Sequence, residues 1–170
     1  MTKTPLPALV LAKVEEQIER AEHLVALVPA DKIEWRPLAN AFRVCDLLGH
    51  LLECLAGFCA ALYALDSERL AHFTPLRELT VNHCCGAEEA RERMQQYLAS
   101  IREGFAILTD ADLARRLPTV FAPEGEAALS VLLGNLEHLI NHKHQLFFYL
   151  KMLGVQVTTE DLYRIRKSAD

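Results

Sequence analysis

The sequence predicts an all-α fold, a four-helix bundle forming a single domain over residues 1–170. Three observations predict it. Four long stretches carry apolar residues at spacings of three and four, the period of a helix with one buried face. Glycine and proline number only seven each and fall mainly outside those stretches. The 170 residues, 51% hydrophobic and 24% charged, are enough for one sizeable core.

The first helix is expected from Leu6 to about Val28. Leu11, Val14, Ile18, Ala21, Val25 and Val28 form its apolar face, and Glu15, Glu16, Glu19, Arg20 and Glu22 fill the other. His23 lies among these charges and reads as a surface histidine. Pro29 ends the helix and Pro37 restricts the connection that follows. That connection holds the only tryptophan, in the unit Trp35-Arg36-Pro37. A loop tryptophan most often caps a core, and it can also wall a pocket.

A second helix is expected from about Phe42 to Leu65, with Asn40 as its cap. Val44, Leu47, Leu48, Leu51, Leu55, Phe58, Leu62 and Leu65 mark its buried side. Residues 66–86 carry no helical stripe and contain Pro75, Asn82 and Gly86. This connection is long enough to run back along a helix of on the order of 35 Å, so helices two and three can lie parallel. His83, Cys84 and Cys85 fall here. No second ligand group stands at zinc-finger spacing, so they read as ordinary loop residues.

The third helix is expected from about Ala87 to Leu108, with Met94, Tyr97, Leu98, Ile101, Phe105 and Leu108 inward. Glu88 and Glu89 in its first turn suit the helix dipole. Residues 110–125 read as a loop with one short turn, punctuated by Pro118 and Pro123. The fourth helix is expected from near Glu126 to Leu153, stopped by Gly154. A tail follows, with one helical turn after Thr158 or Thr159.

A formal net charge of −5 argues against a nucleic-acid surface, which leaves a basic footprint. Arg164, Arg166 and Lys167 cluster near the C-terminus and read as a solvated helix end. No apolar run approaches the length that spans a bilayer, and the N-terminus shows no secretory pattern. Five cysteines, including the adjacent pair Cys84-Cys85, make a poor disulfide framework and fit a reducing compartment, the cytoplasm.

The chemistry concentrates in Val131–Gly154. His138 and His142 are four residues apart, so their side chains stack on one helical face, where two imidazoles can grip one ion. A bare pair at this spacing is more often a packing feature than a ligand. His50, in the middle of the second helix, offers a third imidazole, with Glu53 and Cys54 one turn on. Three neutral imidazoles leave an ion such as zinc or nickel one open position, for water or a substrate sulfur. Cys54 as a thiolate would close that position; a small buried hydrophobe is the better reading.

These units resemble the DinB/YfiT-like superfamily of bacterial metal-binding four-helix bundles. The resemblance rests on Trp35-Arg36-Pro37, on Leu47-Leu48-Gly49-His50, and on His138 and His142 followed by Lys143-His144-Gln145-Leu146, with Tyr149-Leu150 and Gly154 closing. It implies an up-down-down-up bundle with a long crossover between helices two and three, frequent homodimerisation, and a divalent metal held by His50, His138 and His142. It further implies thiol-dependent transferase or isomerase activity with low-molecular-weight thiols, although many members have no known activity. Lys143-His144 departs from the usual Arg-Gly, so substrate detail does not transfer. The resulting expectation is a cytoplasmic, metal-dependent enzyme joining a small thiol to small electrophiles. Glu53 would handle protons, and neither nucleic acid nor membrane would be a partner. The alternative is a non-catalytic metal- or small-ligand-binding stress-response protein, and the simplest case is a bundle whose histidines merely pack.

Overall fold

The apolar stripes become the buried faces of four long helices in the structure, a computed structural model that describes residues 4–120 and 122–163. In chain order the elements are α1 (Leu6–Ala26), α2 (Val44–Leu65), the short α3 (Thr74–Glu78), α4 (Ala87–Ala106), strands β1 (Arg116–Leu117) and β2 (Glu126–Ala127), α5 (Ala128–Met152), and the short α6 (Thr159–Leu162). Short 3-10 turns lie at Ala30–Lys32, Ala71–Phe73 and Asp112–Ala114. Helix α2 packs against both α4 and α5, and α1 packs against the same two. The basic cluster Arg164, Arg166 and Lys167 lies outside the described residues.

Helix α2 is the centre of the core. Leu47, Leu48, Leu51, Leu52 and Leu55 are fully buried, and burying each such side chain stabilises the fold by roughly 1.5–3 kcal/mol. Its 22 residues, with mean hydropathy 1.6, are long and apolar enough to cross a membrane, contrary to the sequence expectation. They are spent on the core instead, with 61% of the apolar window buried inside the protein.

The helix ends differ from expectation where backbone groups found other partners. Helix α1 stops at Ala26 because the N–H groups of Leu27 and Val28 turn back to the carbonyls of Leu24 and Val25. Asn40 does not cap α2, and Phe42 lies before it. The first free donors of α2, on Val44 and Cys45, are taken by the carbonyls of Trp35 and Ile33 at 2.8 and 2.9 Å. The fourth long helix starts at Ala128 and not Glu126. Arg116 and Leu117 pair antiparallel with Ala127 and Glu126, a small sheet that an all-helical reading misses. Gly154, at φ +79°, ends α5 with the N–H of Val155 on Leu150 and its own on Lys151, as a C-terminal glycine should.

The expected turn near Thr158 is α6, capped reciprocally by Thr158 and Asp161. His23 is not a free surface group. Its Nε2 lies 2.9 Å from Asp161 Oδ1, tying α1 to α6.

The connection from α2 to α4 decides the site. Residues 82–85 lie along the first half of α2, with the N–H of Asn82 on the Gly49 carbonyl and that of Cys85 on the Cys45 carbonyl. The contact requires glycine at 49, where a Cβ would stand 1.9 Å from the carbonyl oxygen of His83. Asn82 itself adopts φ 56°, a left-handed conformation that asparagine tolerates. Cys84 is not an ordinary loop residue. It forms a disulfide with Cys45, 39 positions earlier, with Cα atoms 4.5 Å apart. The pairing was hidden in the sequence because it exists only through this return path.

Two measurements check the account. Gly49→Ala should lower stability by about 1–3 kcal/mol through overpacking against the connection, read as a lower urea midpoint; an unchanged midpoint means residues 82–85 do not seat there. The hydrogen bond from His23, then that from the Thr158 backbone, holds the Asp161 carboxyl below the usual carboxylate range. A depressed carboxyl supports the fold above the unfolded chain's value of about 3.9 and withdraws that support as pH falls towards the lower folded value. The stability advantage of the wild type over Asp161→Asn should therefore be full at pH 6 and shrink below about pH 4, as urea midpoints across pH will report.

Candidate metal centre

Helix periodicity brings the three predicted histidines to one point. His138 and His142 occupy successive turns of α5, and His50 meets them from α2. His50 Nε2 lies 3.0 Å from His142 Nε2 and 3.1 Å from His138 Nε2. An ion about 2.0–2.1 Å from each nitrogen sets ligand–ligand edges of about 3.0 Å at right angles and about 3.4 Å at the tetrahedral angle. The observed separations fit that range.

The outer ring nitrogens explain which atoms converge. His50 Nδ1 faces two acceptors, Asn82 Oδ1 at 2.6 Å and Glu53 Oε2 at 2.9 Å. His142 Nδ1 faces Gln145 Oε1 at 2.9 Å, and the Gln145 amide nitrogen donates to the Tyr149 hydroxyl at 3.0 Å, which fixes its orientation. Both rings therefore carry their proton on Nδ1 and leave a lone pair on Nε2. Two lone pairs facing each other at 3.0 Å repel unless a cation lies between them. Neither His138 nor His142 readily supplies a proton there. Burial, then the neighbouring His50, pushes the His138 pKa down, and burial pushes that of His142 down. The donor set thus fits a divalent metal, with the outer nitrogens held as ligating histidines generally require.

The surroundings are partly aromatic. The Phe42 ring lies tilted over His50 at 5.1 Å between centroids and 6.2 Å from His142. Trp35 packs edge-on against Tyr149 at 5.5 Å, so the loop tryptophan supports the chain Tyr149–Gln145–His142.

Glu53 reaches the outer nitrogen of His50, not the point of convergence. It also lines a mostly apolar cleft of about 290 Å³, with Gly57, Phe73, Leu76, Arg77 and Leu79. Cys54 is buried and donates to the His50 carbonyl at 3.4 Å; burial pushes its pKa up to about 12, so it stays a thiol. His144 turns away, its Nδ1 on the Ile140 carbonyl at 2.8 Å and its ring towards Tyr163. Lys143 points to α1, buried, with its ammonium on Gln17 Oε1 at 2.7 Å. The unusual Lys143-His144 pair thus faces away from the metal centre.

Sequence reasoning missed Asn82 and Gln145, the acceptors that orient two of the three rings. Gln145 carried a signal, three residues after His142 on the same helix. Asn82 carried none, because its approach depends on the return path. Two other clusters form as well: Glu34 with Cys45 and Cys84, and His83 with Cys85 and Glu89. In the latter, His83 Nε2 is paired to Glu89 Oε1 at 2.8 Å.

Helices folded around a core, with three imidazoles converging between two of them, define a DinB-like fold carrying a candidate metal centre. The crystal structure of a DinB-like protein, YjoA, from Bacillus subtilis is similar to this chain, with a TM-score of 0.64. The two are 16% identical, and the match covers 86% of this chain and 92% of that one, so the likeness is one of fold. No family model matches the sequence, and no curated protein matches it.

Proposed function

We propose that the protein is a divalent-metal-dependent enzyme that joins a low-molecular-weight thiol to a small electrophile. His50, His138 and His142 would hold zinc or nickel. The single observation carrying this reading is the pair of Nδ1-anchored imidazoles whose bare Nε2 atoms face one another at 3.0 Å. A bound divalent ion supplies Lewis acidity that lowers the pKa of a thiol or water beside it. The thiol S–H bond would break as its sulfur bonds to the electrophilic atom, and Glu53, which lines the cleft, would accept the thiol proton. The bond from the electrophilic atom to its leaving atom would break, with the electron pair going to the leaving atom. The electrophile would seat its apolar part against the wall of Phe73, Leu76 and Leu79 in the cleft beside Glu53. The same proposal includes the up-down-down-up bundle, a homodimer, a cytoplasmic setting, and no nucleic-acid or membrane partner.

A second reading is a non-catalytic metal- or small-ligand-binding stress-response protein. It is favoured by one observation: the near oxygen of Glu53 is already engaged by His50 Nδ1.

Purified protein should take up one divalent ion per chain, and His142→Ala should abolish that uptake with helicity largely intact by circular dichroism. A fold that binds the ion gains about 2.7 kcal/mol at a hundredfold excess over Kd, so chelation should lower the melting temperature of the wild type and leave that of His142→Ala unmoved. Uptake lost equally from a control variant such as His72→Ala would remove the ligand assignment. Turnover of monothiols with reactive electrophiles, assayed with and without added metal, separates the two readings. The enzyme requires metal-dependent product, and Glu53→Gln should slow its formation by about 10²-fold or more, the usual worth of a positioned base.

A further inference from the structure

We infer that the Cys45–Cys84 disulfide is a redox-active modification site, thiolated at Cys84 by small thiols, and that its state sets the hold on His50. The two sulfurs are unequal. Cys45 is fully buried in the first turn of α2, while Cys84 is exposed on the connection. An incoming thiol therefore meets Cys84 and not Cys45. Glu34 Oε1 stands 3.6 Å from Cys84 Sγ and 3.9 Å from Cys45 Sγ, the carboxylate placed to serve both. Arg43 holds the other Glu34 oxygen at 2.6 Å and Asp46 at 2.7 Å, which fixes the carboxylate over the pair.

The chemistry balances with a monothiol as reductant. The external sulfur bonds to Cys84 Sγ, the Cys45–Cys84 bond breaks, and its electron pair leaves on Cys45 Sγ. Glu34 relays the proton of the incoming thiol to Cys45. A second monothiol attacks the mixed disulfide, releasing Cys84 as a thiol and the small symmetrical disulfide. Two electrons pass from two thiols to the protein.

The consequence travels two residues. The disulfide and the Cys85–Cys45 and Asn82–Gly49 backbone bonds pin the connection to α2. Asn82, at one end of this pinned stretch and two residues from the disulfide, presses its Oδ1 to 2.6 Å from His50 Nδ1. With the bridge open, residues 82–85 keep their two backbone bonds to α2, the His83–Glu89 pair and the buried Cys85 side chain, but lose the covalent tie, which loosens the hold on Asn82. Outer hydrogen bonds to a ligating histidine are worth about 10–100-fold in metal affinity. Exchange at Cys84 stands alone; the effect on the metal rests on the ligand set proposed above.

The test uses the full chain. Metal-free oxidised protein is exposed to 2-mercaptoethanol, acid-quenched and mapped by mass spectrometry. The adduct is expected on Cys84 and absent from Cys45; an adduct on Cys45, or none on either, overturns the modification site. Imidazole nitrogen NMR of the same metal-free protein, oxidised and then reduced and desalted, should shift the His50 Nδ1 resonance, and Asn82→Ala should reproduce the reduced spectrum. Identical spectra overturn the link to His50. Zinc titration should then give oxidised protein at least about tenfold tighter binding than the Cys45→Ser/Cys84→Ser double variant, which lacks both bridge and thiol ligands, with Asn82→Ala as weak as that variant. Equal affinities overturn the effect on the metal. Failure of every form to bind zinc sinks the ligand set instead, and the NMR comparison still decides the link. Reversible reduction of the wild type covers the case in which the double variant does not fold.

Discussion

The hydrogen bonds on the far side of the histidine rings govern this molecule. A ring that donates from Nδ1 has its lone pair on Nε2, and a helix backbone alone cannot choose between the two tautomers. Asn82 with Glu53 makes that choice for His50, and Gln145 makes it for His142. Each of these acceptors is itself placed by something else: Asn82 by the connection seated on Gly49, and Gln145 by Tyr149, which leans on Trp35. The convergence of nitrogens is therefore the last member of a series that begins in ordinary packing.

Much of this was legible in the sequence. Stripes at threes and fours located all four long helices, and the inward residues assigned to α2 and α4 are buried. The spacing of His138 and His142 guaranteed a shared face, because four residues is close to one helical turn. His50 required a further step, that α2 and α5 be neighbours, and the resemblance to DinB-like bundles supplied it.

What the sequence hid depends on long-range path. Helical periodicity in α2 and α4 says nothing about where the connection between them runs, and Asn82, Cys84 and the Gly49 contact all depend on that route. The cysteine count misled for the same reason. An odd number with one adjacent pair suggested free thiols, yet one partner was buried in the first turn of a helix and the other lay in a loop. The cap of α2 failed differently. Asn40 had the right chemistry, but backbone carbonyls at Ile33 and Trp35 already satisfied the donors it would have served. Likewise the short strand pair is too brief to leave any alternation to read.

The meeting of His50 with His138 and His142 also bears on how α2 and α5 keep their alignment. Two leucine-rich helices can slide past one another by a turn, about 5.4 Å, and still bury similar hydrocarbon. Polar groups do not permit that degeneracy, since a shifted imidazole is left desolvated and alone. Gly57 adds a notch on α2 in which the Asn135 side chain of α5 sits, 2.9 Å from where a Cβ would stand. The histidine face thus acts as a vernier mark between two otherwise interchangeable greasy rods, choosing one alignment from several that oil-like packing would accept.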